Sequence, residues 1–179
     1  MDKSKIQKLL HNGKSVYHTQ DLAVIWGISN SNTLYTTIKR YVQKGLLNKI
    51  HKGFYSTIPV KDINPFYLGL LAIHRYGYIS TESVLINEGL MFQDIKYITI
   101  VSSVSKRFNI AGYDFLVRKM KDDFLYNNSG IIIKDGVSIA STNRAIADML
   151  YFNPKYHFDC NKKINWSEID KIKKKVNYV

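Results

Sequence analysis

The chain has 179 residues, of which 45% are hydrophobic and 22% charged, with a net charge of +12 and one cysteine. This length is enough for one mid-sized domain or two small ones with buried cores. The single cysteine, Cys160, excludes an internal disulfide and a cysteine-ligated zinc site. The charged N-terminus lacks the apolar run of a signal peptide, and no window approaches the ~18–20 apolar residues that span a bilayer, so we expect a cytoplasmic protein.

The positive charge is concentrated towards the two ends of the sequence. Residues 1–60 hold nine Lys or Arg and two acids, residues 61–161 hold eleven and ten, and residues 162–179 hold six and two. Basic ends around a near-neutral middle favour a polyanionic partner such as nucleic acid. A Lys-rich surface that only maintains solubility, or a biased genome composition, would produce the same counts, so charge alone leaves both explanations open.

The first 58 residues show the sequence pattern of three short helices followed by a hairpin. Apolar residues recur at helical spacing, and glycines follow the helix ends. The predicted elements, in chain order, are a helix that ends at Gly13, a short helix over 20–26 capped by Thr19, a helix over about 32–44 capped by Ser29 or Ser31 and closed by Gly45, and a hairpin of strands 46–50 and 54–56.

This order predicts an N-terminal winged helix-turn-helix domain over residues 1–58 that binds double-stranded DNA. The turn at Gly27 would set two helices at a steep angle, and the next helix would present its polar face to the major groove. An alternative is a winged helix that serves only as a protein–protein module, with its cations simply solvated. The DNA-binding candidates lie on the third helix and the hairpin turn: Ser31, Asn32, Thr33, Tyr35, Thr36, Lys39, Arg40, Lys49, His51 and Lys52.

Pro59 and Pro65 mark a boundary, after which residues 64–160 are predicted to form a small mixed α+β domain. β-branched runs and an Asp-Gly turn are typical of strands and hairpins. The predicted elements are helices over 66–75, 81–88 and 142–152, a strand over 96–101, and antiparallel hairpins that turn at 111–112 and 135–136. Residues 161–179 are expected to be a basic C-terminal tail that contains a short helix from Trp166 to Lys175. The fold class is therefore α+β, a winged helix-turn-helix followed by a mixed domain of hairpins and packing helices.

The residue types that commonly support catalysis are scattered along the sequence. We therefore expect that the protein is not an enzyme and binds no metal or cofactor. The histidines, which lack metal-ligand spacing, are His11, His18, His51, His74 and His157. Cys160 follows His157 by three residues, but a nucleophile also needs a positioned base and an oxyanion site. A metal-dependent nuclease using Asp122, Asp123, Glu82 or Glu88 is the least favoured hypothesis.

Arg144 and Asp148 are four residues apart on a predicted helix and can therefore form an ion pair. Three interpretations remain open at this point. The pair is a plain surface ion pair, a bridge that fixes the helix against the sheet, or part of a partner-binding face.

Four stretches of the sequence carry a family resemblance. They are DLA (21–23) with GIS (27–29), YVQKGLL (41–47) and KGFYS (52–56); GYISTESVL (77–85) with NEGL (87–90); ITIVS (98–102); and IASTNRAIADML (139–150). In this order and spacing they resemble the AbiEi-type antitoxins of abortive-infection, type IV toxin–antitoxin systems. The sequence departs from the family pattern at Thr142 and Asn143, where Pro-Glu is usual, and has no extra endonuclease-like domain of the kind some relatives carry.

The resemblance implies a repressor and antitoxin without catalytic activity. Such a protein binds inverted repeats in its own promoter through the winged helix, which implies two copies on each operator and leaves open whether these form a dimer before they meet on DNA. Its second domain counteracts a nucleotidyltransferase-like toxin encoded alongside, and the resemblance leaves open whether it does so by direct contact. The alternative is a stand-alone winged-helix transcriptional regulator whose second domain senses a ligand or a partner.

Overall fold

The computed structural model describes residues 2–159 and 164–178 and divides the chain into two compact units, residues 1–64 and 65–179. Helices and two sheets are combined in one chain, which confirms the predicted α+β class. The division falls at Pro65, inside the Pro-containing stretch that the sequence pattern indicates as a boundary.

The first unit combines three α-helices with a three-stranded antiparallel sheet in the order β1-β3-β2. Its elements are α1 Asp2–His11, β1 Val16–His18, α2 Thr19–Trp26, α3 Ser31–Gln43, β2 Asn48–His51 and β3 Phe54–Ser56, followed by the 3-10 turn Val60–Asp62. The sequence pattern did not predict β1, because three residues are too few to show a strand's alternation.

One apolar core holds the first unit together. Its buried members are Leu9, Tyr17, Leu22, Trp26, Leu34, Ile38, Tyr41, Leu47 and Tyr55. The Tyr17 hydroxyl donates to the carbonyl of Leu9 at 2.6 Å, and the Trp26 indole donates to the carbonyl of Lys5 at 3.2 Å. These bonds tie α1 to β1 and α2, because the polar tips of large buried rings need partners.

The second unit is built around a six-stranded sheet in the order β6-β7-β5-β4-β9-β8. Its elements are α4 Pro65–Ala72, β4 Gly77–Ile79, α5 Glu82–Asn87, β5 Tyr97–Ser102, β6 Lys106–Ile110, β7 Tyr113–Lys119, α6 Asp122–Leu125, β8 Ile131–Lys134, β9 Val137–Ala140, α7 Thr142–Phe152 and α8 Trp166–Val176.

The sheet is mixed, with the two predicted hairpins joined to the centre by parallel pairings. Strands β6–β7 and β8–β9 pair antiparallel, whereas β5–β7 and β4–β9 pair parallel. The central strand β4 begins at Gly77, where a Cβ would lie 2.7 Å from Ile73 Cδ1 and 2.8 Å from the Val101 carbonyl. A side chain at this position would therefore separate β4 from its neighbours.

The helix α8 belongs to the second unit, although the sequence division placed residues 161–179 in a separate tail. Ile169 and Val176 are buried, and α8 packs against α7. These two buried positions lie seven residues apart in a lysine-rich segment, so its composition favours a tail over a packed helix.

Cys160 lies outside the described residues.

Candidate nucleic-acid interface

Local capping fixes the two helices α2 and α3 and the turn between them. The Asp21 carboxylate accepts from the backbone N–H of His18 at 2.8 Å, and Gly27 ends α2 with a left-handed φ of 65°. The Asn30 side chain caps α3 by accepting from the N–H of Thr33 at 3.0 Å. Such caps satisfy backbone donors that a helix leaves free at its start.

The predicted capping residues were wrong at both helices. Thr19 is the first residue inside α2, and its hydroxyl donates to the carbonyl of Gly53. Ser31 lies inside α3, and the longer carboxamide of Asn30 takes the capping position.

The helix α3 has one buried face and one exposed face. Leu34, Ile38 and Tyr41 point into the core, and the Tyr41 ring lies 5.1 Å from that of Trp26. All of the predicted DNA-binding side chains on this helix are exposed: Ser31, Asn32, Thr33, Tyr35, Thr36, Lys39 and Arg40. The exposed face includes a groove of about 480 Å³, lined by Asn32, Thr33, Thr36, Thr37 and Arg40.

Hydrogen bonds within α3 divide its small polar side chains into two groups. The Thr33 hydroxyl donates to Asn30 Oδ1 at 3.3 Å, and the Thr37 hydroxyl donates to the Thr33 carbonyl at 2.7 Å. Within the described part of the chain, the Asn32 carboxamide and the Thr36 hydroxyl have no such partner. The Asn32 carboxamide and the Thr36 hydroxyl are therefore open to a ligand.

The β2–β3 hairpin presents cations beside a tightly held turn. Lys49, His51 and Lys52 are exposed. Gly53 adopts a φ of 87°, which a residue with a side chain rarely takes, and its carbonyl accepts from the N–H of Thr19 at 2.9 Å. The turn backbone is thereby anchored to the start of α2, while the charged side chains remain in solvent.

The stretch from α3 through the hairpin carries positive charge from Lys39 onwards and no negative charge. Residues 31–53 hold five Lys or Arg and no acid. An acid-free, positively charged surface attracts polyanions over a distance set by ionic screening.

Burial raises the pKa of the Tyr55 hydroxyl on β3, and the nearby Tyr35 hydroxyl of α3 adds to the increase.

The partner-binding interpretation of Arg144 and Asp148 is wrong for these side chains, because both are 0% exposed. Arg144 Nε donates to Asp148 Oδ1 at 2.7 Å. The other four guanidinium N–H groups donate to the carbonyls of Asn127, Ser129 and Phe124 and to the hydroxyl of Tyr78. The geometry matches the bridge interpretation, in which the pair fixes its helix against the sheet.

The carboxylates of the nuclease hypothesis do not come together as a metal site. Glu82 is buried and forms an ion pair with Arg118, whose guanidinium lies 5.5 Å from the ring centre of Phe152. Asp122 and Asp123 are exposed at the start of α6. Residues 2–159 and 164–178 contain no group of three or more His, Cys, Asp or Glu that could hold a metal ion. None of the helices in those ranges is long and apolar enough to cross a membrane.

Comparisons with known proteins give a likeness of fold alone. No protein-family model matches the sequence, and no curated protein sequence matches it. The chain is similar to the crystal structure of the RV2827C protein from Mycobacterium tuberculosis, with a TM-score of 0.55 and 12% sequence identity. The likeness covers 94% of this chain and 69% of the mycobacterial chain. It therefore extends over both units.

Proposed function

We propose that residues 1–64 form a winged helix-turn-helix domain that binds double-stranded DNA, and that the chain is a transcriptional repressor and antitoxin. The observation that carries the DNA-binding part is the exposed, acid-free face of α3, which is followed directly by the basic β2–β3 hairpin. In this proposal α3 lies in the major groove and the hairpin turn is the wing beside it.

The dimensions and chemistry of α3 suit this role. Its 13 residues give a helix of about 20 Å, and the major groove, about 12 Å wide, admits an α-helix. Lys39 and Arg40 in the second half of the helix, and Lys49 and Lys52 on the hairpin, supply cations for phosphates. Lysine and arginine contacts to phosphate release counterions, so affinity falls steeply as salt rises.

Fluorescence anisotropy with labelled duplex DNA from upstream of the protein's own gene tests the proposal. We expect saturable binding that the double substitution Lys39→Ala/Arg40→Ala weakens by at least about tenfold, as the removal of two phosphate contacts implies. The matched control is Lys171→Ala/Lys174→Ala on α8, which removes the same charge from the second unit and should bind nearly as tightly as the unaltered protein. Equal affinities for all three proteins would contradict the assignment.

The antitoxin part of the proposal is supported by the resemblance of the second unit's motifs to the AbiEi-type family. Two of those motifs meet in the buried hydrogen bonds around Arg144 and Asp148. Tyr78 and Ser80 come from GYISTESVL, while Arg144 and Asp148 come from IASTNRAIADML. The side chains of these four residues are buried and hold the unit together. It follows that any surface acting against a toxin is formed by other, exposed residues of the unit.

A growth assay tests the antitoxin role. The chain is co-expressed with a nucleotidyltransferase-like protein encoded beside it, and we expect it to restore growth that the toxin alone stops. Lys39→Ala/Arg40→Ala should restore growth equally well when both genes are driven by an unrelated promoter. Failure of the unaltered chain to restore growth would remove the antitoxin role and leave DNA binding as a separate question.

A second candidate function, a regulator that senses a small ligand, is favoured by one groove of the second unit. This groove has a volume of about 410 Å³ on strands β5, β6 and β7, and its lining includes Lys96, Tyr97, Arg107 and Asp114. The absence of a toxin-like gene beside this one, together with a ligand that changes the affinity for DNA, would favour this function over the antitoxin.

A further inference from the structure

We propose that the first two turns of α3 recognise A·T rather than G·C base pairs, with Asn32 reading adenine and Thr36 contacting the methyl group of thymine. This inference rests on the proposed binding of duplex DNA through α3. It goes further by naming the class of base pair and the residues that select it.

The first argument is the absence of cations from the part of α3 that reaches the bases. In helix-turn-helix proteins the N-terminal residues of the recognition helix contact base edges. Residues 31–38 contain no Lys or Arg, and the first cation of the helix is Lys39. Guanine is most often read by Arg or Lys, which donate to its O6 and N7 acceptors. The groups best suited to guanine are therefore missing from these two turns.

The second argument is the hydrogen-bonding state of the small polar side chains. The hydroxyls of Thr33 and Thr37 already donate within the helix and its cap. The Asn32 carboxamide and the Thr36 hydroxyl have no partner in the described part of the chain. Asn32 and Thr36 are four residues apart, which is about 6 Å along the helix axis, and both line the groove on the exposed face. They can therefore contact neighbouring base pairs.

The chemistry of a free carboxamide selects adenine over guanine. A carboxamide offers an N–H donor and a carbonyl acceptor side by side, which matches the N7 acceptor and N6 donor of adenine. Guanine presents two acceptors, N7 and O6, so the carbonyl of Asn32 would face one of them without a proton between. Thr36 adds a methyl group, and apolar contact with the C5-methyl group identifies thymine.

The cations further along the chain have a different role in this arrangement. Lys39 and Arg40 follow the first two turns, and Lys49 and Lys52 lie on the hairpin. Contacts of such groups to phosphate fix the position of a protein on the duplex but carry no sequence information. Substitutions at the cations and at Asn32 should thus have separable effects.

Selection from a library of duplexes with a randomised central segment, using the full chain, tests the inference. We expect the bound pool to show A·T at two adjacent positions of each site. Asn32→Ala should reduce the preference for adenine over guanine at one of these positions by about 5- to 150-fold. Thr36→Ser, which lacks the methyl group, should relax the choice of thymine at the other position, whereas Thr36→Val, which keeps a methyl group, should retain it. The control Asn12→Ala, an exposed position after α1, should leave the selected sequence unchanged.

The outcomes separate this inference from the proposal beneath it. Retained duplexes with G·C at the selected positions, or an unchanged preference in Asn32→Ala, would overturn the A·T inference while leaving DNA binding intact. Failure of the unaltered chain to retain any duplex, even at low salt, would overturn both.

Discussion

Arg144 and Asp148 form an ion pair of 2.7 Å in which neither side chain is exposed. Asp148 also accepts from the Ser80 hydroxyl at 2.7 Å and from the hydroxyl of Tyr178. The pair thus joins α7 to the residue that follows β4 and to the end of the described chain. Such a network is stabilising only while all its members are satisfied, because an unpaired buried charge is costly.

Removal of one partner from this pair is expected to be strongly destabilising. Asp148→Ala leaves the Arg144 guanidinium buried without its carboxylate, and breaking a buried pair in this way costs about 3–5 kcal/mol of unfolding free energy. Urea denaturation followed by circular dichroism measures the decrease. The matched control is Glu168→Ala, which breaks the exposed ion pair between Lys171 and Glu168 on α8 and should cost less than about 1 kcal/mol. Similar decreases in the two variants would contradict the role assigned to the buried network.

The sequence predicted α7 with its observed bounds, because its signals are local. Ser141 accepts from the N–H of Arg144 as the N-cap, and apolar residues recur at helical spacing to Phe152. The i, i+4 spacing of Arg144 and Asp148 also predicted the ion pair. The sequence did not predict that the pair is buried, because the groups that enclose it, including Tyr78 and Tyr178, come from distant parts of the chain.

The exposed face of α3 was also predictable from local spacing, whereas the hydrogen bonds of its side chains were not. The period of Leu34, Ile38 and Tyr41 fixes which face of α3 is buried, so the exposure of the other face follows. The hydrogen bonds that use the hydroxyls of Thr33 and Thr37 depend on atomic geometry and could not be read from spacing. Short strands such as β1 and β4, and the parallel pairing of β5 with β7, depend on long-range contacts and gave no local signal.

Alkaline pH is expected to weaken the second unit through its buried tyrosines. Burial, followed by the nearby Asp148 carboxylate, raises the pKa of the hydroxyls of Tyr78 and Tyr178 well above the ordinary value of about 10. In the unfolded chain these groups ionise above pH 10, whereas in the folded chain they keep their protons. The unfolded state therefore binds fewer protons, and stability that is complete below pH 10 falls above it, by up to about 1.4 kcal/mol per pH unit for each tyrosine.

Urea denaturation at a series of pH values from 8 to 11 measures this slope, and Tyr178→Phe is the informative variant. Phenylalanine cannot ionise, so the decline above pH 10 should be shallower in this variant. At neutral pH the variant should be less stable by about 1–3 kcal/mol, since a hydrogen bond to a charged group is removed while the ring contact with Tyr151 is kept. A slope identical to that of the unaltered chain would exclude Tyr178 as a source of the effect.

Gly69 on α4 is expected to tolerate no side chain. A Cβ there would lie 2.2 Å from Cε1 of Phe115, closer than real Cβ atoms approach, and 3.1 Å from Cδ1 of Ile100. Gly69→Ala should therefore cost about 1–3 kcal/mol through overpacking, despite the better helix propensity of alanine. The double variant Gly69→Ala/Phe115→Leu, measured by urea denaturation, should cost less than the sum of the two single substitutions. Strict additivity would show that the clash is not the cause.

The hairpin cations should determine how strongly DNA binding depends on salt. Removing one phosphate contact lowers the slope of log K against log salt by about 0.9, so Lys49→Ala/Lys52→Ala should lower it by about 1.8. Anisotropy titrations of one duplex at several sodium chloride concentrations measure the slope. Asn32→Ala serves as the contrast, because a base contact affects the preference for sequence and leaves the slope unchanged. A hairpin variant with the original slope would mean that Lys49 and Lys52 do not contact phosphates, and the hairpin would then have no place in the interface.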